Sequence, residues 1–307
     1  MKPEYLAEGN QNIVFKYKNK VLRVSKHETD LKLQETFISL LYKLIPIKYI
    51  GTYEIIQIDE FTSRSLISQS TRSNSTHHPS EIQQCDFFGV IDRTQLSIEI
   101  KPKWGFVNGK TCRTCRNNAF KGIVGFCPIM LFSNNINLVK KSIDIINGDS
   151  NHILNDIYAR IIIADGILDL LKFHQQRLDN TGIQSVYSLY DNCEIILDWD
   201  IFIDNYNKQI KTKHQILLEY IVSMTLKDVS LFITLSKSPE SKFCDIKHDE
   251  KSSNGVVYLE NGDEISYSVR IGDLDYKGAK FEKWIKIEKE LDKYEGGDCA
   301  IDRLDRY

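Results

Sequence analysis

The chain has 307 residues, 42% of them hydrophobic and 27% charged, with only 6 prolines, a composition that can bury a core and that excludes a disordered chain. Its 40 Lys and Arg against 42 Asp and Glu leave a formal net charge of -2, which excludes a protein that coats nucleic acid by bulk charge but allows a local basic pocket. The 7 cysteines follow no regular framework and point to a reducing compartment. No long apolar run follows the first lysine, so no secretory leader is expected. The apolar stretch from Ile157 to Leu171 is interrupted by Arg160, Asp165 and Asp169 and reads as buried helix or strand, so no membrane span is expected.

From the N-terminus, residues 5–26 predict a hairpin. A glycine-containing turn at Glu8-Gly9-Asn10-Gln11-Asn12 leads into Ile13–Tyr17, and a Lys18-Asn19-Lys20 turn leads into Val21–Val24. Between 28 and 44 the period changes, and Leu31, Phe37, Leu40, Leu41 and Leu44 predict an amphipathic helix ending before Pro46. The Ser-, Thr-, Asn- and His-rich segment 62–80 reads as a loop. Gln95–Lys101 predicts a strand with Pro102 at its edge, closing an α+β lobe over residues 1–107. Residues 108–307 form a second, more helical lobe, with helices expected near 134–147, 150–178 and 208–223. A strand pair is expected at 228–235 and 264–271, joined by a long polar connection from Ser236 to Asn261. Lys277–Tyr294 predicts a closing helix whose apolar positions Phe281, Trp284, Ile285, Ile287 and Leu291 sit among charges.

Several clusters can carry chemistry, and each also has a plain structural reading. Glycine in the Glu8-Gly9-Asn10-x-Asn12 turn lets backbone approach a phosphate, although such a turn is most often only a turn. In a strand, Glu99, Lys101 and Lys103 share one face while Ile98 and Ile100 face the core. Two lysines converging on one site imply a polyanion; solvated lysines on an edge strand are the alternative. Asp273 and Asp275 can hold a hard divalent ion through oxygen, or simply close a strand. The lysines that follow, Lys277, Lys280, Lys283 and Lys286, are either a phosphate-binding stripe or a solvated face. Asp228, ahead of the apolar run Val229–Leu235, can accept a hydroxyl proton or serve as a cap. Cys112-Arg-Thr-Cys115 has the spacing of half a zinc site, but with no second close pair its neighbours Arg113, Arg116 and Lys121 matter more, as positive charge.

Taken in order, these pieces resemble the inositol-pentakisphosphate 2-kinase family, as a divergent, fungal-type member. The resemblance rests on Glu8-Gly-Asn-x-Asn12 with Val21-Leu-Arg23, on Glu99-Ile-Lys-Pro-Lys-x-Gly105-Phe106, and on Cys112-Arg-x-Cys115 with Lys121. It continues through Lys227-Asp228-Val-Ser230 and Asp273-Leu-Asp275-x-Lys277. It implies a two-lobed α+β inositol polyphosphate kinase fold, distantly protein-kinase-like, with ATP between the lobes. The implied reaction moves the γ-phosphoryl of MgATP to the 2-hydroxyl of inositol 1,3,4,5,6-pentakisphosphate, giving the hexakisphosphate and ADP. By the same resemblance Gly9, Asn10, Asn12, Arg23 and Lys101 contact the nucleotide, while Lys103, Arg113, Lys121, Lys277 and Lys280 hold inositol phosphates. Asp228 is the catalytic carboxylate, and Asp273 with Asp275 binds Mg2+.

The departures are specific. Arg116-Asn117-Asn118-Ala119-Phe120 stands where the family has a Met-His-Gln run before its lysine, although Lys121 stays in register. Gly278 and Phe281 replace an expected proline and arginine, with Lys280 or Lys283 able to supply the charge. Asn155-Asp156 is the match for the family's paired asparagines. No zinc is expected, because the cluster of the plant members finds no counterpart. A monomer in nucleus or cytoplasm, with no stable nucleic-acid or membrane partner, is the expectation. A passive polyanion-binding protein is the competing class, and the carboxylates at Asp228 and Asp273 count against it. A protein kinase lacks support, since no His-Arg-Asp or Asp-Phe-Gly motif occurs.

Overall fold

Alternation builds the first sheet: Ile13 and Phe15 turn inward while Val14 and Lys16 face outward, and Leu22 and Val24 repeat the pattern one strand on. The computed structural model describes residues 3–8, 12–18, 20–70, 79–86, 96–107, 111–148, 151–190, 195–249, 251–294 and 299. Strands β1 (Glu4–Glu8), β2 (Asn12–Tyr17) and β3 (Lys20–Ser25) form an antiparallel meander. Helix α1 (Leu31–Leu41), capped by Asp30, and the short α2 (Ile47–Ile50) lead to β4 (Tyr53–Gln57), α3 (Glu60–Ile67) and β5 (Glu81–Asp86). The sheet order is β1-β2-β3-β5-β4.

Helix α3 corrects the expectation of a loop from residue 62. Asp59 accepts a hydrogen bond from the Thr62 amide at 2.6 Å, Glu60 pairs with Arg64 one turn later, and Ser63, Leu66 and Ile67 face inward. Residues 71–78 of that expected loop lie outside the described residues.

The two compact units divide between Ser97 and Ile98, within β6 (Leu96–Ile100). Glu99, Lys101 and Lys103 therefore belong to the second unit. There the helices α4 (Arg113–Lys121), α5 (Pro128–Leu131) and α6 (Ile136–Asn147) precede α7 (His152–Asp165) and α8 (Ile167–Leu178). The sequence predicts one helix over 150–178, but Gly166 takes φ +75° and splits it in two. Next come α9 (Gly182–Leu189), α10 (Trp199–Lys208) and α11 (Lys213–Leu226), which packs against α8 and α9.

Strand β7 (Ser230–Leu235) pairs antiparallel with β10 (Glu264–Gly272) as expected. The polar stretch between them is not a simple connection. It folds into β8 (Phe243–His248) and β9 (Asn254–Leu259), giving the order β6-β7-β10-β9-β8. These strands are amphipathic, with Val257 and Leu259 buried among polar neighbours, so their periodicity is weak in the sequence. Helix α12 (Phe281–Leu291) buries Phe281, Trp284, Ile285 and Leu291 and packs on α9 and α4. Among the described residues no helix is long and apolar enough to cross a membrane.

Asn155 locks α6 to α7. Fully buried, it donates to Asp144 at 2.8 Å and to the Gly148 carbonyl at 2.9 Å, and it accepts from Asn147 at 2.8 Å. Its hydrogen-bonding capacity is thus directed at the α6–α7 junction. Asn155→Ala is expected to lower stability by about 2 kcal/mol, because buried polar partners lose their bonds; urea unfolding monitored by circular dichroism measures it.

Candidate active site

Past Ile100 the chain leaves the strand, and Lys103 takes a left-handed backbone with φ +63°. What holds that turn is Gln175 on α8, a side chain with no exposure. Its carbonyl oxygen accepts from the Gly105 amide at 2.8 Å, and its amide nitrogen donates to the carbonyls of Lys103 at 3.0 Å and Leu226 at 2.9 Å. Gly105 is required by packing, since a Cβ there would stand 2.6 Å from the Phe132 ring. The turn carrying Lys103 is thereby fastened to the last residue of α11, immediately before Lys227 and Asp228.

These two neighbours diverge. Lys227 is buried, paired with Asp179, and its ammonium lies 3.8 Å from the centre of the Trp104 ring. Burial pushes its amine down to about 8, against the opposing pull of Asp179. Asp228 instead is half exposed and takes Lys103 at 3.2 Å on one oxygen and Lys277 at 2.8 Å on the other. Burial would raise its carboxyl, but the hydrogen bond and charge of Lys277, followed by Lys103, outweigh this and hold it below the ordinary 3.8.

Three adjacent strands deliver the second group. Ser230 opens β7 opposite Gly272 at the end of β10, so Asp273 emerges beside it, and Glu99 comes from the neighbouring β6. The Ser230 hydroxyl lies 2.7 Å from a Glu99 oxygen and 2.8 Å from an Asp273 oxygen. Lys101 donates to that same Asp273 oxygen at 2.6 Å. Burial would lower the Lys101 amine, but the bond and charge of Asp273, with Asp228 and Glu99 behind, hold it above its usual value. Asp273 also has a left-handed backbone, φ +58°. Lys103 and Asp273 are thus two of the four non-glycine residues with positive φ among those described, a strained geometry that clusters at functional sites.

Of the residues singled out in the sequence, Lys101, Lys103, Asp228, Asp273 and Lys277 come together here. Asp275 follows on the same turn, its carbonyl accepting from Thr225 at 3.0 Å. Arg113 stands apart from this lattice. It stacks 5.0 Å from the Trp104 ring, pairs with Glu288 at 3.0 Å, and with Arg116 borders a cavity of about 230 Å³. Lys121 is exposed at the far end of α4, about 12 Å along the axis from Arg113. Lys280 is exposed at the start of α12 and makes no side-chain cap. In the first unit Asn12 opens β2, and Arg23 lies in β3 between Val14 and Gln83. Gly9 and Asn10 lie outside the described residues.

The reading of Cys112 and Cys115 as a half site with no second close pair is corrected. Cys112 and Cys115 gain two further thiols, Cys127 and Cys299, and all four sulfurs lie within 4.8 Å of one another. Cys127 is 15 residues from Cys112 and 172 from Cys299, so spacing alone could not reveal the group.

A family model for inositol-pentakisphosphate 2-kinase matches residues 5–290. The chain belongs to that family. It is therefore a phosphotransferase acting in inositol phosphate metabolism, and the match extends across the segments that carry both carboxylate groups. No curated relative matches the chain. Sequence reasoning about this 2-kinase family member missed Gln175, which has no motif signal because its partners are backbone groups remote in sequence. Ser230 carries no local signal of its own because its partners Glu99 and Asp273 are remote in sequence, and Lys227 and Asp179 are separated by 48 residues.

Gln175→Ala strips the lysine turn of its tether, and an expected loss of about 3 kcal/mol in stability is to be read from chemical denaturation. The Asp228 carboxyl, depressed in the folded protein, contributes stability above the ordinary pKa of 3.8, and this contribution disappears as pH falls through the lower native value. Because the group is half exposed, screening keeps the effect small. Comparing acid melts of the wild type and Asp228→Asn should show the two stabilities converging below about pH 4.

Proposed function

We propose that this chain transfers the γ-phosphoryl group of MgATP to the 2-hydroxyl of inositol 1,3,4,5,6-pentakisphosphate, producing the hexakisphosphate and ADP. The observation that carries this reading is the lattice in which Lys103 and Lys277 hold Asp228 while Lys101 holds Asp273. A passive polyanion site gains nothing from carboxylates set among its lysines, whereas phosphoryl transfer needs both signs. Incoming phosphates compete for Lys103 and Lys277 and release an oxygen of Asp228 to the acceptor hydroxyl. That hydroxyl oxygen then forms a bond to the γ-phosphorus as the bond to the β-phosphate bridging oxygen breaks. The proton passes to Asp228 and ADP departs.

The residues present fit a magnesium ion. Glu99 and Asp273 both approach Ser230, whose hydroxyl has a single proton to donate, and carboxylate oxygens suit a hard cation. When bound, the ion would neutralise charge on the transferring phosphates, with Asp273 as its main ligand and Glu99 and Asp275 nearby. Lys101, now on Asp273, would turn to nucleotide phosphate. For the first unit we assign nucleotide contact to Gly9, Asn10, Asn12 and Arg23, and for the second we assign inositol phosphate contact to Arg113, Lys121 and Lys280, all on the family resemblance. A soluble monomer acting in nucleus or cytoplasm is part of the same proposal.

Incubation of the protein with MgATP and the pentakisphosphate, resolved by anion-exchange chromatography, tests the reading. Hexakisphosphate should form, and Asp228→Asn should reduce kcat by about 10²–10⁴-fold with a much smaller change in binding of the acceptor. Undiminished turnover in that variant removes Asp228 from the chemistry. Tight pentakisphosphate binding by a folded wild type that makes no product favours a binding protein.

A further inference from the structure

Lys227 stands next to Asp228 in the chain, yet its side chain turns away from the phosphoryl-transfer lattice into the core. Helix α8 grips the segment that delivers Asp228 at two successive residues. Gln175 holds the Leu226 carbonyl, and Asp179, one helical turn on, takes the Lys227 ammonium. Asp179 is itself fixed: one oxygen takes that ammonium, and the other accepts from the Gly182 amide at 3.1 Å, at the start of α9. Aromatic rings enclose the ammonium. It lies 3.8 Å from the centre of Trp104 and 5.2 Å from the centres of Phe106 and Tyr220.

Trp104 gives this burial its direction, because it follows Lys103, whose own ammonium meets Asp228 at 3.2 Å. Lys227 thus touches the Lys103 turn through its side chain and the Asp228 turn through its backbone. A neutral amine in the same place offers no full charge to Asp179 or to the Trp104 ring, and it leaves a buried carboxylate without its cation. An apolar side chain would fill the space without desolvating an ion pair, so packing alone gives no reason for a lysine here. The charged and titratable groups that face the amine are Asp179 from the end of α8, Arg113 from α4, Glu288 from α12 and Tyr220 from α11. Desolvation, joined by Arg113, outweighs the pull of Asp179 and Glu288 and brings the amine down to about 8. Burial raises the Tyr220 phenol, which stays neutral across that range.

We infer that Lys227 is a positioning residue for phosphoryl transfer: its ammonium, clamped between Asp179 and Trp104, holds the Lys103 turn against Asp228, and loss of its proton slackens the clamp and slows turnover. The inference rests on the reading of Asp228 as the carboxylate that receives the acceptor proton. Lys227 gives no proton to the reaction; its proton goes to solvent, and it acts through the geometry of its neighbours.

The test is kcat at saturating MgATP and pentakisphosphate, up to about pH 10, for the wild type, Lys227→Arg and Asp179→Asn. Wild-type kcat should fall by about tenfold as pH passes the amine's value of about 8. Asp179→Asn removes the carboxylate that favours the charged amine and should move this descent to lower pH. Lys227→Arg stays charged throughout and should lose it. Ionisation of the substrate phosphates is shared by all three proteins, so the displacement between their profiles belongs to Lys227. A pair that only supports the fold would scale kcat by one factor at every pH, and coincident profiles overturn the inference. If the variants fail to fold, or if no hexakisphosphate forms at any pH and the acceptor reading falls, substrate-free wild type labelled with carbon-13 at its aspartate carboxyls and lysine ε-carbons decides the matter by NMR. The Asp228 carboxyl resonance, identified by its loss in Asp228→Asn, should move together with a lysine titrating near 8, far above the ionisation of Asp228 itself. A resonance unmoved there overturns the inference.

Discussion

Gln175 carries no charge and touches no solvent, yet the relation between the lysine turn and the Asp228 turn depends on its amide. One side chain joins the Gly105 amide, the Lys103 carbonyl and the Leu226 carbonyl, three backbone groups that neither helix nor sheet pairing satisfies. Because the bonds are to backbone, they fix the trace of both turns rather than the rotamer of any one residue. Lys103 and Asp228 can then meet across 3.2 Å without either turn being part of a regular element. The Gly105 contact with Phe132 adds a steric limit from the other side.

On this frame the charges are arranged by alternation. Lys101, Lys103 and Lys277 would repel one another if they stood alone, and Asp228 and Asp273 are interleaved among them. The pairs are only partly buried, which keeps their desolvation cost modest and leaves the lysines able to exchange partners. Lys227 and Asp179 differ in kind. Both are almost wholly buried, with Trp104 covering the ammonium, so this pair is a fixed part of the core beneath the exchangeable one.

The legible parts of the molecule were those with local cause. The strand pair β7–β10, the capped helix α1 and the amphipathic α12 follow from period and capping, and the side-by-side burial of Ile98 and Ile100 from strand alternation. Asp228, Asp273 and the lysines could be picked out because their order along the chain resembles a known family, not because spacing alone brought them together. What was hidden has non-local cause. β8 and β9 are held by pairing partners more than by their own polar sequence, α7 and α8 part at a single glycine, and Cys299 joins its fellows from 172 residues beyond Cys127. No window along the sequence contains those relations.

The left-handed backbone at Lys103 and Asp273 sets two pressures against each other. A residue with a Cβ is disfavoured in that region, and glycine is not, so glycine at either position would relieve local strain. Neither position can take that relief without losing a charge that the neighbouring groups are arranged to meet. Selection for heat resistance alone would thus drift both sites toward glycine, removing one cation and one anion together and leaving the net charge unchanged. A melting curve would record only the relief of strain set against the lost ion pairs, while the functional loss would appear in turnover.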